Sequence, residues 1–230
     1  ATVEDRVYYQ VKRTVNGSTV RYLEKWALES ETVGGTLNKQ ADSFATFTNS
    51  PAAASVPAGT CSHLVAESVI VWADGVCLND SNGDIATFTV AGDGGIAALT
   101  HEGSPFSATT GIVGLAYRGQ FESTKLAYAS QLGTALTQRK RLSHLGLILQ
   151  NTHAQGIKYG PDFDTLDDLP LIDNEGAEVD TDSIHAEYDK DMFEWPGGWG
   201  TDERMCLEMN APRPATALGV VVGIIETDKT

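Results

Sequence analysis

Alternation of apolar and polar residues is the clearest structural signal in this chain. In residues 142–150, Leu145, Leu147 and Leu149 fall on one face of an extended segment, and the residues between them fall on the other. Successive side chains of a strand point to opposite faces, so this spacing predicts a β-strand with at least one buried face.

The N-terminal residues carry a second alternating pattern in two arms, 6–15 and 18–28. In the first arm Val7, Tyr9 and Val11 alternate with Tyr8, Gln10 and Lys12; in the second Val20, Tyr22 and Trp26 alternate with Thr19, Arg21 and Lys25. Asn16-Gly17 lies between the arms, and Asn-Gly readily adopts the positive φ angles of a type I′ turn. A β-hairpin is therefore predicted here.

Turn signals then recur through the chain at short intervals. Asp74-Gly75, Asn82-Gly83 and Asp93-Gly94-Gly95 separate runs rich in β-forming residues. Further strands are predicted at 112–117, 123–128, 204–209 and 218–225, whereas residues 130–138 fit either a short helix or a loop. This rhythm predicts an all-β fold, an antiparallel β-sandwich or barrel with long loops and little helix.

We expect three regions along the chain. Residues 1–28 form the hairpin, which we expect to continue from an upstream domain missing from this sequence. Residues 29–62 are expected to be an exposed loop excursion with one short strand at 44–47, because Gly34-Gly35 and Asn49-Ser50-Pro51 are loop-like. Residues 63–230 form the main β domain.

Composition supports a folded protein with a real core. Of 230 residues, 41% are hydrophobic and 20% charged, which argues against global disorder. The longest apolar run, 217–225, is too short to span a membrane as a helix. Cys61, Cys77 and Cys206 form no C-x-x-C pair, so buried free thiols in a reducing compartment are expected.

The formal net charge of −15 is concentrated in one stretch. Residues 161–191, the acidic segment, hold 12 Asp or Glu against one Lys, a local charge of −11. Such a chain is poorly suited to gripping nucleic acid over its whole surface. The segment is expected to be a solvated loop; the alternative is that carboxylates such as Asp162, Asp164 and Asp180 gather a hard cation.

The motifs that resemble enzyme or metal sites lack the neighbouring residues that such sites need. Residues 92–97 resemble a dinucleotide-binding turn but leave no room for the helix that would follow, and residues 79–84 lack the spacing of a calcium loop. The five histidines show no metal-binding spacing, and no G-x-S-x-G is present. We predict a non-enzymatic protein with no catalytic residue, no cofactor and no metal. A carboxylate pair for glycoside hydrolysis is spatial and leaves no sequence trace, so a polysaccharide-degrading tail enzyme stays an alternative.

Two residue groups are candidates for binding. Arg139, Lys140 and Arg141 form a cationic run before the strand at 142–150; they mark either the point where the chain leaves solvent or a contact to a neighbouring subunit's acidic surface. Trp195 and Trp199, in a Gly-rich loop, are the candidate exposed pair for stacking a glycan, whereas Trp72 is expected in the core.

Several stretches together resemble one protein family. They are the hairpin at 7–24, His63-Leu64 with Ser-Val-Ile-Val-Trp-Ala-Asp-Gly-Val (68–76), Gly-Leu-Ala-Tyr (114–117), Gly133-Thr134, Arg-Lys-Arg-Leu (139–142) and Trp-Pro-Gly-Gly-Trp (195–199). Their order and content are similar to the C-terminal part of the tail tubular, or nozzle (stabilisation), proteins of short-tailed bacteriophages. Loops 33–60 and 161–191 are longer than expected for that family.

The resemblance implies a structural virion protein of the phage tail, made in the host bacterial cytoplasm. It implies a homo-oligomeric ring below the portal and adaptor proteins, through which DNA is ejected without specific binding. The acidic segment would then either line the channel or point outward as a docking arm. The alternatives are a carbohydrate-binding or adhesion domain of a tail protein and the polysaccharide-degrading enzyme named above.

Overall fold

A computed structural model describes residues 5–32, 38–126, 129–130, 133–172, 175–187 and 189–226. The predicted all-β fold is confirmed: the sheets are antiparallel, and the longest helix in these ranges, α1 (Glu29–Thr32), has 4 residues. No described helix is long and apolar enough to cross a membrane. Contacts divide the chain into two compact units, residues 1–117 and 118–230. The division falls inside 63–230, the segment predicted as the main β domain.

The first unit contains the N-terminal hairpin and a five-stranded sheet. Its strands are β1 (Tyr8–Val15), β2 (Ser18–Lys25), β3 (Asp42–Ala53), β4 (Ser68–Ala73), β5 (Val76–Cys77), β6 (Phe88–Thr89), β7 (Thr100–His101), β8 (Ser104–Pro105) and β9 (Ala108–Leu115), with a 3₁₀ turn at Ser62–Leu64. In the sheet β9 lies between β3 and β4, and β5 and β6 both pair with β4. Trp72 is buried in β4, as predicted.

The predicted hairpin is confirmed. Arms β1 and β2 pair from Tyr8 opposite Lys25 to Val15 opposite Ser18. Asn16 and Gly17 have φ of 46° and 74°, the left-handed conformation that a type I′ turn requires.

The expectation of an exposed loop over residues 29–62 is wrong for its second half. Residues 42–53 form a strand of 12 residues that pairs with β9 and buries Phe47. The register shifts between Thr48 and Ala53, where the sequence resembles a loop. Asn49 bridges this irregularity, because its side-chain amide donates hydrogen bonds to the carbonyls of Ala53, Ser55 and Ala108.

The second unit is built around the long strand β13. Its strands are β10 (Arg118–Glu122), β11 (Ala129–Ser130), β12 (Gly133–Thr134), β13 (Lys140–His153), β14 (Ile157–Gly160), β15 (Asp167–Asp168), β16 (Ile184–Glu187), β17 (Lys190–Glu194), β18 (Cys206–Asn210) and β19 (Ala217–Glu226), with a 3₁₀ turn at Ala135–Thr137. β13 pairs with β16, β17 and β19. Leu145, Leu147 and Leu149 of β13 are buried together, which confirms the predicted buried face.

Each unit has a hydrophobic core of its own. Val69, Val71 and Leu78 belong to the core of the first unit, and Leu142 and Leu207 to that of the second. All three cysteines are buried free thiols, as predicted: Cys61 and Cys77 lie in the first unit and Cys206 in the second. Burial raises the pKa of the Cys61 thiol to about 11.

Candidate binding surface on the N-terminal hairpin

The hairpin has two chemically different faces because side chains alternate along both arms. The inner face packs on the first unit. Val15 is buried, and the Tyr22 hydroxyl donates a hydrogen bond of 2.7 Å to the His63 carbonyl. The backbone amide of Asn16 donates a hydrogen bond to the Glu67 carboxylate. These contacts fix the orientation of the hairpin within its unit.

The outer face is exposed along its whole length and carries cations but no acids. Its residues are Tyr8, Gln10, Lys12 and Thr14 on β1, and Thr19, Arg21, Leu23 and Lys25 on β2. Lys12 and Arg21 are direct cross-strand partners. Like charges placed opposite one another destabilise a β-ladder, so this pair has a cost for folding.

Large apolar side chains of the hairpin are exposed on both of its faces. Leu23 on the outer face is 77% exposed, and Tyr8 is exposed on the same face; Trp26, which is 64% exposed, Val7 and Leu28 are exposed at the open end of the hairpin. The Tyr9 ring meets Trp26 edge to face, with 6.2 Å between the ring centroids. A concentration of exposed aromatic and aliphatic groups on one element is typical of an interaction surface.

A groove of about 860 Å³ lies between the hairpin and residues 39–44. Its aromatic and imidazole lining is Tyr9, Tyr22, Trp26, Phe44, His63 and Tyr117. Glu24 and Asp42 also line it, and so does Gln40, whose side-chain carbonyl accepts a hydrogen bond from the Tyr117 hydroxyl. The groove therefore combines flat apolar rings with acceptors for hydroxyl groups, the two features that a sugar-binding site needs.

Arg13 holds two of the three carboxylates that line the groove, and Arg6 holds the third, Glu31. Arg13 Nη2 lies 3.0 Å from Glu24 Oε1 and 3.9 Å from Asp42 Oδ2. Burial raises the pKa of Asp42, and the Arg13 charge opposes this shift. Burial also raises the pKa of the Tyr117 hydroxyl, as does the nearby Asp42 charge.

Glu24 is occupied by hydrogen bonds within the protein. Oε1 accepts from Arg13 Nε, from Arg13 Nη2 and from the Ser43 hydroxyl, and Oε2 accepts from Arg13 Nη2. A general base or nucleophile needs a lone pair that is open to the substrate. The arrangement therefore suits the binding of a ligand better than acid–base chemistry.

The cationic run at 139–141 is not a continuous surface. Arg139 and Arg141 are exposed, but Lys140 is 0% exposed. The Lys140 ammonium donates to the carbonyls of Leu136, Gln138 and Thr201, at 3.5, 3.3 and 3.2 Å. The prediction that Lys140 takes part in a subunit contact is therefore wrong, because its ammonium group is buried and bonded to carbonyls of its own unit.

The tryptophan pair predicted for glycan stacking is also not formed. Trp195 is 5% exposed and packs against Tyr159, with 6.0 Å between the ring centroids. Trp199 is 42% exposed, and the Arg141 guanidinium lies 5.9 Å from its ring centre. Only one of the two rings is therefore exposed, and the aromatic groove of the first unit offers the better platform.

The acidic segment contains short strands as well as loop. Nine acidic residues of its described part are exposed, namely Asp162, Asp164, Asp167, Asp168, Glu175, Glu178, Asp180, Glu187 and Asp189. Asp168 pairs with Lys158 at 3.1 Å, and the Asp162 carboxylate caps the turn at Asp164 and Thr165. Hydrogen bonding, led by the Thr165 hydroxyl, lowers the pKa of Asp162. The segment is an exposed, strongly anionic surface.

The sequence carries a signal for the outer face of the hairpin. Lys12, Arg21 and Lys25 fall at the positions that alternate with the inward-facing set. Neither a protein-family model nor a curated protein matches this chain.

Proposed function

We propose that the protein is a non-catalytic structural subunit that assembles with copies of itself into a ring. The observation that carries this proposal is the set of large apolar side chains exposed around the hairpin, above all Leu23 and Trp26. Aromatic and aliphatic groups of this kind form the centres of protein interfaces, where they supply most of the binding energy. In a monomer they would remain in water without function.

The resemblance to nozzle proteins suggests where such a ring would be located, namely in the tail of a short-tailed phage. The chain is then a virion component of a short-tailed phage tail, made in the host bacterial cytoplasm, where thiols such as Cys61 stay reduced. Its partners are further copies, the adaptor and portal-proximal proteins, and DNA that passes during ejection without specific binding. The net charge of −15 supports such passage, because an acidic wall does not adhere to phosphates.

The test is the mass of the assembled species. Native mass spectrometry and negative-stain electron microscopy over a concentration series should show a closed ring of one fixed copy number. The exposed Trp26 should lose solvent accessibility in the ring, which a blue shift of its fluorescence measures. A species with the mass of one chain at every concentration would overturn the proposal.

The aromatic groove supports a second candidate, a carbohydrate-binding or adhesion domain. Trp26 and Tyr9 at the groove provide faces for stacking a pyranose, and Asp42 and Gln40 provide acceptors for its hydroxyls. A glycan array should then give a hit that Trp26→Ala abolishes and Trp199→Ala, in the other unit, leaves intact. An empty array would remove this candidate.

A polysaccharide-degrading activity has less support. Arg13 and Ser43 occupy Glu24, and Arg6 donates two hydrogen bonds to Glu31. Asp42, 3.9 Å from Arg13 Nη2, is then the candidate catalytic carboxylate of the groove. We expect no release of reducing sugars from bacterial surface polysaccharides. Release that Asp42→Asn abolishes would contradict the non-catalytic proposal.

A further inference from the structure

We propose that the outer face of the hairpin binds the acidic segment of a second copy of this chain. The inference rests on the proposed ring function and names the two surfaces that join its subunits. It follows from the distribution of charge, from the cost of one cross-strand pair and from the apolar groups between the cations.

Cations in the first unit are confined to its beginning. All six Lys and Arg of residues 1–117 lie between Arg6 and Lys39, so residues 40–117 contain none. Arg6 is paired with Glu31 at 2.9 Å, and Arg13 is held by Glu24. Lys12, Arg21 and Lys25 remain on the outer face, which itself carries no acidic residue, and Glu31 lies near Lys25 at the groove.

The pairing of Lys12 with Arg21 points to an anionic partner. Cross-strand partners hold their Cβ atoms about 5 Å apart, so the two charges repel one another in the isolated chain. An anion placed over the pair removes that repulsion and gains from both charges. The face is therefore more stable when it is covered by carboxylates than when it is exposed.

Apolar groups on the same face favour a protein over a nucleic acid. Leu23 lies between Arg21 and Lys25 along β2 and is the most exposed large apolar side chain of the described residues, and Tyr8 lies opposite Lys25. Phosphate backbones offer such side chains no apolar contact, whereas a polypeptide offers both carboxylates and apolar groups. Three cations also give only a weak phosphate-binding surface in a chain of charge −15.

The acidic segment supplies the complementary chemistry in every copy. It carries −11 of the formal charge, and the carboxylates of Asp164, Asp167, Glu178 and Glu187 are exposed. Apolar groups accompany them, since Ile172 is exposed in the same segment. Opposite charge guides the two surfaces together and sets their register, while the apolar groups add affinity.

Two different surfaces joined in this way form a head-to-tail contact. Each copy then uses its hairpin on one neighbour and its acidic segment on the other, so the contact propagates and closes into a ring when the rotation allows it. One variant can lose the hairpin surface and another the acidic surface, so that each keeps one half of the contact. This gives the proposal a specific test.

The first variant reverses the hairpin charges, with Lys12→Glu, Arg21→Glu and Lys25→Glu. The second neutralises the segment, with Asp164→Asn, Asp167→Asn, Glu178→Gln and Glu187→Gln, all exposed residues that leave the Asp162 turn and the Asp168 pair intact. Each variant alone should be monomeric, because it lacks one half of the contact. Mixed in equal amounts, they should form dimers and nothing larger, because each then offers the half that the other lacks.

The matched control for the second variant neutralises four exposed carboxylates outside the acidic segment, with Asp84→Asn, Glu102→Gln, Glu122→Gln and Glu194→Gln, and changes the net charge equally. It should assemble like the unmodified chain, and circular dichroism should show native strand content in all variants. Assembly of the unmodified chain should weaken at least tenfold, on the order expected for screened charge pairs, between low salt and about 500 mM NaCl.

The outcomes separate the inference from the function on which it rests. An unmodified chain that never oligomerises overturns the proposed function. A ring that persists in both variants, or is lost only in the control, leaves the function standing and overturns the hairpin contact. A labelled DNA duplex that binds the unmodified chain and not the reversed-hairpin variant, by fluorescence anisotropy, would assign the face to nucleic acid and also overturn it.

Discussion

At the scale of single residues, burial decides the protonation state that the fold requires. His153 is fully buried, and its Nδ1 accepts a hydrogen bond of 3.1 Å from the backbone amide of Gln155. Burial, together with the nearby Arg213 charge, lowers the pKa of this ring to about 3. The folded state therefore holds a neutral histidine whose Nδ1 is a hydrogen-bond acceptor.

A pH dependence of stability follows from His153. The folded pKa lies below the unfolded value, so below about pH 6.5 the unfolded chain binds a proton that the folded chain refuses. Stability should fall by up to about 1.4 kcal/mol per pH unit from this residue as the pH drops toward 3. His153→Asn keeps an acceptor for Gln155 and removes the titration. The free energy of unfolding, measured by urea denaturation with fluorescence detection, should depend less steeply on pH in the variant than in the unmodified protein between about pH 7 and about pH 5. Equal pH dependence in the two proteins would contradict the assignment to His153.

The Lys12–Arg21 pair gives a prediction at the same scale. Lys12→Glu replaces a like-charge pair by an opposite-charge pair across the hairpin and should stabilise the first unit by about 0.5–1 kcal/mol. Lys12→Gln is the companion variant, because it removes the repulsion without adding an attraction. The midpoint temperature of thermal unfolding should rise for both variants, and it should rise further for Lys12→Glu than for Lys12→Gln. A fall in stability for Lys12→Glu would show that the cations do not repel one another.

At the scale of elements, close backbone approach explains the glycines of β9. A Cβ atom on Gly111 would lie 2.6 Å from the Trp72 carbonyl oxygen and 2.7 Å from Phe47 Cε1. These neighbours belong to β4 and β3, the two strands that flank β9. The glycine allows both to pack closely against the central strand.

Gly111→Ala should therefore destabilise the first unit. Displacing backbone and a buried ring to make room for one methyl group costs about 1–3 kcal/mol. Gly119→Ala is the matched control, since it also changes a strand glycine but would meet only Met209 Cβ at 3.9 Å. Chemical denaturation should separate the two variants clearly, and equal midpoints would contradict the packing argument.

The elements that the sequence predicts are those whose signals are local. The hairpin follows from alternation around Asn16-Gly17, and the buried face of β13 from Leu145 and its neighbours. Strand β3 is predicted only as a short strand at 44–47, because Asn49-Ser50-Pro51 looks like a loop, and the acceptors that satisfy Asn49 include a carbonyl 59 residues away. Local patterns do not contain such partners.

The candidate site was harder to predict for the same reason. A basic run suggests exposed charge, yet Lys140 is buried because Thr201, 61 residues away, supplies one of its acceptors. The Gly-rich loop around Trp195 suggested exposure, but the ring packs against Tyr159 of another strand. By contrast, Lys12, Arg21 and Lys25 could be assigned to one face from strand parity alone, because the hairpin register is set by its turn.

At the scale of the whole molecule, two units with separate cores imply two unfolding events. Cys61 and Cys77 lie in the core of the first unit and Cys206 is buried in the second, so each thiol reports the opening of its own unit. In Gly111→Ala, labelling of Cys61 and Cys77 by a thiol reagent should begin at lower urea concentration, whereas labelling of Cys206 should be unchanged. Peptide mass spectrometry after a labelling pulse measures both in one sample. If labelling of Cys206 began at the same lower urea concentration as labelling of Cys61, the two units would unfold as one. A substitution in one core would then destabilise the hairpin of the first unit and the acidic segment of the second alike.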